Sequence, residues 1–590
     1  MRRDIQAKLA FAVILVATLL FAYWVQMRRT RGLRLDLDQT VAVASGRVTL
    51  GIDSNWTGIP EPDLPTGAVA GWNASAGEIP VEVYVGLREA GLDSLAYEFL
   101  DSLDRYTEAA TRATVAQADY EKDLAPLDGL GRTRGWAVLS RGQAVYSIAI
   151  EVVALPDGGT VDVAVLAGTA SAAQARQWVE QLSGSLKVSL PEAAATAAAG
   201  EPVEVGGWRV AFEGPVYVCP DQEGTVTWVM PRGASSSAFW SAQFKPLALP
   251  DYREPEQLIA DGLLSALSLG EPLAISRLPG ADDPAIYKGF VRYGRDMPGY
   301  QNLIYLGVAE GGAALLGQVG LGTGPLAETA AVFDRVVSGL KFGGDTAEEP
   351  MPLDVRAILA AADVDALADR ASGWFEVRIG DQPIGFLMSA IQTSGRTDRI
   401  NASNFLFIQR GELEYEQGTV AEFTGDLSAG RTAVTLAISV GRQRHSVARK
   451  VEFDERTIEM LGVINRQRMT LNLERPKEFV CDGADLLLIA ALAEAGSPQS
   501  GYASRPTDLS TALSAMRIDL LPDATVATLN DYEFERARYL FDEEGVWQGI
   551  RFGPDLVWTR VEERDVAGRY PAQYRRAVRW VLRAVGGDRI

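Results

Sequence analysis

Ser183-Gly184-Ser185-Leu186-Lys187-Val188 returns, one residue shorter, as Ser338-Gly339-Leu340-Lys341-Phe342, and each phrase closes a segment of the same make-up. Ahead of the first phrase, Ala144 to Leu155 and Val161 to Ala167 are β-rich runs parted by the turn Pro156-Asp157-Gly158-Gly159, and Ser171 to Leu182 carries a helical pattern that Gly184 ends. Ahead of the second, Leu303 to Ala309 and Ala314 to Leu321 flank Glu310-Gly311-Gly312, and a helix is predicted from about Pro325 to Val337. An earlier helical stretch precedes each pair of runs, Leu92 to Tyr106 and Pro255 to Leu267. Strands, helix, strands, helix, given twice, predicts two copies of an antiparallel sheet covered by helices, an α+β sandwich.

Outward from these copies, the alanine-rich Pro191 to Gly200 and the Gly, Pro and acid-rich Gly343 to Pro352 read as linkers. They set three expected domains at residues 40–190, 203–342 and 353–590. The third opens on a helical lead, Val355 to Ala371, and then turns strongly β: Trp374 to Ile379, Pro383 to Phe386, Asn404 to Arg410, Glu412 to Tyr415, Thr432 to Val440, Ser446 to Phe453 and Met469 to Leu473. Short turns between successive strands make a meander. Leu486 to Ala493, an apolar run between Asp485 and Glu494, reads as a buried helix.

The element order and the closing Leu-Lys phrase of the first two parts resemble the PsbP and Mog1-like sandwich family. That resemblance implies a fold used for docking onto protein assemblies rather than for catalysis. The opening of the third part, Trp374 to Phe386 with its Ile-Gly-Asp-Gln-Pro-Ile-Gly phrase, looks like the LolA and LolB lipoprotein-carrier superfamily. Its members shelter acyl chains in a β-rich half-barrel, so the likeness implies an apolar ligand, although no lipid-contacting residue carries over by motif.

At 590 residues and 47% hydrophobic content the chain has ample core for several domains. Its 77 acidic against 56 basic residues give a formal charge of −21, which repels phosphate backbones, so no nucleic-acid partner is expected. The same acidity serves solubility. Cys219 and Cys481 are too few for a disulfide framework or a thiolate metal site and read as two buried thiols.

From Leu9 to Val25 the one hydrophilic side chain is that of Thr18, and a helix over that stretch spans ~25 Å, enough for a thin hydrocarbon core. Tyr23 and Trp24 stand where an interfacial belt would put them. Leu20-Phe21-Ala22 is a poor cleavage site, which favours an uncleaved anchor over a signal peptide. Residues 1–34 are therefore expected to form a single N-terminal transmembrane anchor. Arg2, Arg3 and Lys8 nearly balance Arg28, Arg29, Arg31 and Arg34, so orientation rests on the ease with which one long body translocates, and the body is expected outside the cytoplasm.

No catalytic signature survives inspection. The single histidine, His445, sits in Arg442-Gln443-Arg444-His445 and reads as part of a polar strand face or turn; paired-histidine metal sites are excluded. Gly317-Gln318-Val319-Gly320-Leu321-Gly322-Thr323-Gly324 runs from strand to helix, but Pro325 stands where the last glycine of a dinucleotide fingerprint belongs, leaving a tight turn or a weak anion site. Glu412, Glu414 and Glu416 alternate as on a half-solvated strand, and Asp363, Asp365 and Asp369 cluster on the helical lead. Arg442, Arg444, Arg449 and Lys450 form either a cationic stripe or a charged edge strand. Phe375, Phe386, Phe405, Phe407 and Phe423 read as core, and Asn55-Trp56-Thr57 and Asn73-Ala74-Ser75 as chance sequons.

The sequence thus nominates no catalytic, cofactor-binding or metal residue. Its expected task is binding or assembly at a cell envelope, with protein partners and the membrane reached through the anchor. A tethered carrier or sensor of a lipid or other apolar ligand is the alternative, and a carboxylate-based hydrolase stands behind it.

Overall fold

The computed structural model describes residues 35–590 apart from short stretches, the longest of which are 89–93, 108–113, 266–273, 293–300 and 344–350, and from the last five residues, 586–590. The expected anchor, Leu9 to Val25, lies outside the described residues. Among those described, no helix is long and apolar enough to cross a membrane. The chain divides into two compact units. One holds the described residues up to Ala194 together with Arg232–Phe239 and Gly322–Gly324; the other holds Ala195–Pro231, Trp240–Leu321 and the chain from Pro325 onward.

In the first unit β1 (Gln39–Val43) and β2 (Val48–Ile52) form a hairpin, and β3 (Thr57–Gly58), β4 (Ala68–Ala76) and β5 (Ile79–Arg88) lead to α1 (Leu95–Tyr106). Then come β6 (Thr114–Tyr120), β7 (Arg132–Arg141), β8 (Ala144–Ala154), β9 (Thr160–Gly168), α2 (Ala172–Ser183) and β10 (Lys187–Val188). The described strands build an antiparallel sheet in the order β3-β4-β5-β9-β8-β7-β6. β8 and β9 are buried along nearly their whole length, so both faces of the sheet are covered. Phe99, Leu103 and Tyr106 of α1 cover the face that carries Ile148, Ile150, Ala164 and Leu166. α2, opened by a capping box between Ser171 and Gln174, packs on the same strands and takes the other face. The closing phrase has a definite job: Lys187 and Val188 pair with β2, making it the middle of a three-stranded side sheet, and Leu186 is buried beneath.

The second copy repeats this plan strand for strand. β11 (Ala195–Ala197) precedes the hairpin of β12 (Pro202–Val205) and β13 (Trp208–Ala211), which β14 (Val216–Pro220), β15 (Thr227–Pro231), β16 (Trp240–Ala248) and α3 (Pro255–Ser265) follow. β17 (Ala274–Asp282), β18 (Ala285–Arg292), β19 (Gln301–Val308), β20 (Ala313–Leu321), α4 (Leu326–Ser338) and β21 (Lys341–Phe342) complete it. The sheet order β14-β15-β16-β20-β19-β18-β17 is that of the first copy, and β21 pairs with β13 as β10 does with β2. The alanine stretch read as a linker departs from expectation: its β11 pairs with β14 and extends this sheet.

The third part starts with β22 (Met351–Pro352), α5 (Val355–Ala361) and α6 (Val364–Ala371). Its meander runs β23 (Gly373–Ile379), β24 (Gln382–Ser394), β25 (Arg399–Arg410), β26 (Leu413–Thr424), β27 (Gly430–Val440), β28 (Gln443–Phe453), β29 (Thr457–Ile464) and β30 (Gln467–Glu474). The apolar run becomes α7 (Ala484–Ala495), as expected. Six strands that the sequence reading did not anticipate follow: β31 (Ser500–Pro506), β32 (Leu513–Leu520), β33 (Val526–Asn530), β34 (Ala537–Phe541), β35 (Trp547–Phe552) and β36 (Leu556–Val561). α8 (Glu563–Arg569) and α9 (Pro571–Val585), also unanticipated, end the described chain. β36 returns to pair with β23, so the described strands join in one sheet of fifteen. Fifteen strands would spread over ~67 Å if flat, whereas α7 is ~18 Å long. Yet Ala402 and Ala421 of β25 and β26 meet Gly483 just before α7, and Tyr539 and Trp547 of β34 and β35 meet its Leu486 and Ile489. The sheet must therefore curl around α7.

Candidate functional site

Three places gather side chains whose chemistry could exceed packing: the interior of the curled sheet, a polar junction within the second unit, and the outer face of the last strands.

Among the described residues the interior is packed with side chains. Leu487, Leu488, Ile489 and Leu492 of α7 share one core with Phe375, Leu387, Phe423, Val451 and Met460. A recess lined by Ala371, Leu486, Ile489, Tyr539, Phe541 and Trp547 is too tight to admit a water molecule, far short of a pocket that holds a small ligand. A buried polar cluster in this core centres on Asp482, which accepts from Arg449 at 2.8 and 2.9 Å and from the Thr432 hydroxyl at 2.8 Å. Arg449 is thus turned inward and buried, which splits the basic row read from sequence. Arg444 is exposed and Lys450 stands 3.7 Å from Glu452, while Arg442 lies outside the described residues. His445 pairs in register with Ile438 on β28, a strand position as expected. Cys481 and Cys219 are both buried, and burial pushes the Cys481 thiol well up.

The junction joins α3 and β16 to the loop after β33. The Arg253 guanidinium donates to Asp261 at 2.7 Å and to Asp531 at 2.9 and 3.2 Å, with no part of its side chain exposed. The Lys245 ammonium donates to the carbonyl oxygens of Asn530, at 2.8 Å, and Glu533. Burial pushes this ammonium down to about 8, against the pull of Asp531 and Glu533, and burial also raises the Glu533 carboxyl. The Tyr252 hydroxyl meets that of Ser504, which donates to Glu478 at 3.2 Å. Perturbed ionisable groups of this density mark a functional-site candidate. Here, however, the donors end on buried acceptors of the neighbouring segment, and the cluster acts as a clamp. Sequence reasoning missed it, because nothing local distinguishes Lys245 or Arg253 from a surface charge.

On the outer face, Phe386, Met388, Phe405 and Phe407 are capped by Val566 and Ala577, with Tyr570, Tyr574 and Trp580 packed around them. A Cβ on Gly418 would come within 2.6 Å of the Trp580 ring, so this strand position must be glycine for α9 to lie down. The Trp580 indole donates to the Thr419 carbonyl at 3.3 Å and Arg576 pairs with Glu416. Glu414 and Glu416 are half-buried beside Arg576, in keeping with a half-solvated strand face, and Glu412 lies outside the described residues. Phe375 and Phe423 are buried on the opposite, inner face, so all five phenylalanines are core. Beyond α9 most outward residues of β27 to β30 are small or polar, among them Thr435, Ser446, Ala448 and Arg468, while on β29 Leu461 is half-buried and Val463 is 40% exposed.

The remaining motifs are structural. Asp354 and Asp363 accept from the backbone of Ala357 and Ala366 and so cap α5 and α6. In the glycine run, a Cβ on Gly322 or Gly324 would fall 2.1 or 2.0 Å from the carbonyl oxygens of Ser236 and Ser237, so these glycines serve close backbone approach. Among the described residues, no group of His, Cys, Asp and Glu is placed to hold a metal ion.

No family model matches the sequence, and no curated protein matches it. Among solved structures the chain is similar to the Ran-binding protein Mog1p of Saccharomyces cerevisiae, at 10% identity and a TM-score of 0.21, over 26% of this chain and 96% of that one. It is also similar to a β-barrel-like protein of a domain of unknown function from Brucella abortus, at 11% identity and a TM-score of 0.25, over 32% of this chain and 94% of that one. The resemblance to Mog1-like sandwiches read from element order thus has a counterpart among solved structures.

Proposed function

We propose that this protein works by binding or assembly at a membrane of the cell envelope, held there by residues 1–34 with its body outside the cytoplasm. The observation that carries the reading is the filled interior of the curled sheet. α7 and Trp547 occupy the space where a carrier of that shape would keep an acyl chain, and among the described residues the recess beside them is too tight to admit a water molecule. The buried polar clusters support the same reading, since the Arg253 and Arg449 networks end on protein acceptors rather than converging on an open cleft. What is left to act is surface.

The test is native mass spectrometry of the full chain gently extracted from cells. A protein free of copurified acyl species is the expected result; a lipid at near-unit occupancy would overturn the reading in favour of a tethered carrier. Deleting residues 1–34 should release the body without detergent, and persistent detergent dependence would sink the anchor.

A further inference from the structure

The three large sheets expose their ends very differently. β3 and β22 are two residues long and β11 is three. β6 breaks register between Val115 and Gln117, and β17 does so between Arg277 and Asp282 and carries Pro279. Short strands, bulges and prolines are the usual devices that stop an edge from recruiting another strand. β30 has none of them. Its eight residues, Gln467-Arg-Met-Thr-Leu-Asn-Leu-Glu474, contain no proline or glycine and pair with β29 in unbroken register. Among the described residues no strand lies on its other side. Leu471 and Leu473 pack toward the core, while Arg468, Thr470, Asn472 and Glu474 are exposed and Met469 is 46% exposed.

We propose that β30 pairs with β30 of a second copy of this chain, antiparallel, about a two-fold axis through Leu471. The inference deepens the assembly reading above and rests on it. Strand addition at a free edge supplies main-chain hydrogen bonds, and the side chains must then agree. In this register Arg468 faces Glu474 of the second copy, and by symmetry the same pair forms again on the far side of the axis. Thr470 faces Asn472, Met469 faces Leu473, and Leu471 faces itself. No other two-fold register of these strands sets the two charges opposite each other. The charges that would guard a lone edge become complementary when the edge meets its own copy. An eight-residue strand pair makes a small contact, so the dimer should depend on concentration, and tethering both copies to one membrane would favour it.

The experiment uses the full chain in detergent micelles, followed by sedimentation over a hundredfold range of concentration. The wild type should pass from monomer to dimer. Arg468→Glu and Glu474→Arg should each weaken the dimer at least tenfold, and the double exchange should restore it; circular dichroism would check that each variant keeps the fold. In parallel, Leu471→Cys should give a disulfide-linked dimer under mild oxidation, because residues facing across antiparallel strands sit ~4.5–5.5 Å apart at Cα and both native cysteines are buried. A wild type monomeric throughout, or single charge variants that dimerise as well as wild type, would overturn the proposal. Either result would leave the broader assembly reading standing, since that reading falls on copurified lipid instead.

Discussion

Apart from the added β11, the two sandwich copies share their strand plan, and they differ in how they satisfy one register position. Matching the hairpins β8-β9 and β19-β20 from their turns, where Leu155 bonds Gly159 and Ala309 bonds Ala313, sets Asp162 of the first copy level with Leu316 of the second. Across the sheet, Asp162 faces Gly86 and Leu316 faces Lys245. The first copy thus has a carboxylate opposite a glycine, and the second has an ammonium opposite a leucine. Gly86 is required, since a Cβ there would lie 2.4 Å from the Asp162 carboxylate. Asp162 is satisfied within its own copy, by the Tyr106 hydroxyl, the Ser102 hydroxyl at 3.0 Å and Arg105 at 3.1 Å. Lys245 instead reaches the carbonyls after β33, in a different part of the chain. An apolar frame can be copied unchanged while a single polar site decides whether a copy is closed on itself or bound to a neighbour.

The sharpest way to break that contrast is Arg253→Ala. It strands Asp261 and Asp531, both buried, without their shared cation, and removing one partner of such a cluster costs ~3–5 kcal/mol. Denaturant unfolding should register the loss, and hydrogen exchange should show it spreading to β33 and β34. Asp162→Ala is the matching change in the first copy. Its expected cost is smaller, ~2–3 kcal/mol, because Arg105 keeps Asp101 at 3.2 Å. Lost protection should stay within α1, β5 and β9; protection lost equally widely in both variants would remove the distinction.

The shared frame was readable because it is local: two β-rich runs around a glycine turn, then a helix, then a fixed closing phrase that becomes β10 and β21. The early meander was readable from its β-branched and aromatic strands. β31 to β36 were not. Segments such as Ser500-Gly-Tyr-Ala-Ser-Arg-Pro506 lack apolar alternation, and β36 finds its partner in β23, far back in the chain. α9 did leave a signal, for Tyr574, Ala577, Trp580 and Val581 recur at helical spacing and form the face that packs. The clamp left none, since burial of Lys245 and Arg253 depends on contacts from residues nearly three hundred positions away.

The pH dependence of Lys245 tests the same contrast more gently. Its ammonium is held down to about 8 in the folded protein, against 10.5 for an ordinary lysine. Below pH 8 both folded and unfolded chains carry the proton. Between pH 8 and 10.5 the unfolded chain binds it and the folded chain does not, so the stability of the wild type rises with pH relative to Lys245→Met. The full rise is on the order of 3 kcal/mol. Parallel melting curves of wild type and variant across that window would measure it, and a difference that stays flat would mean that the ammonium is not desolvated at the clamp.

The smallest contrast lies at the second helix of each copy. α2 starts from a capping box, with Gln174 donating its amide to the Ser171 hydroxyl at 3.3 Å and Ser171 donating its own to the Gln174 side chain at 2.9 Å. α4 starts from Pro325 with no side-chain cap. Proline lacks an N–H and has a fixed φ, so it orders the approach to the helix, but it leaves the first N–H groups of α4 without a side-chain acceptor. Ser171→Ala should therefore cost ~1 kcal/mol, and Pro325→Ala should cost less, because no cap is lost. Chemical unfolding of the two variants decides it: a larger loss at Pro325 would show that φ restriction contributes more to the start of α4 than capping does to the start of α2.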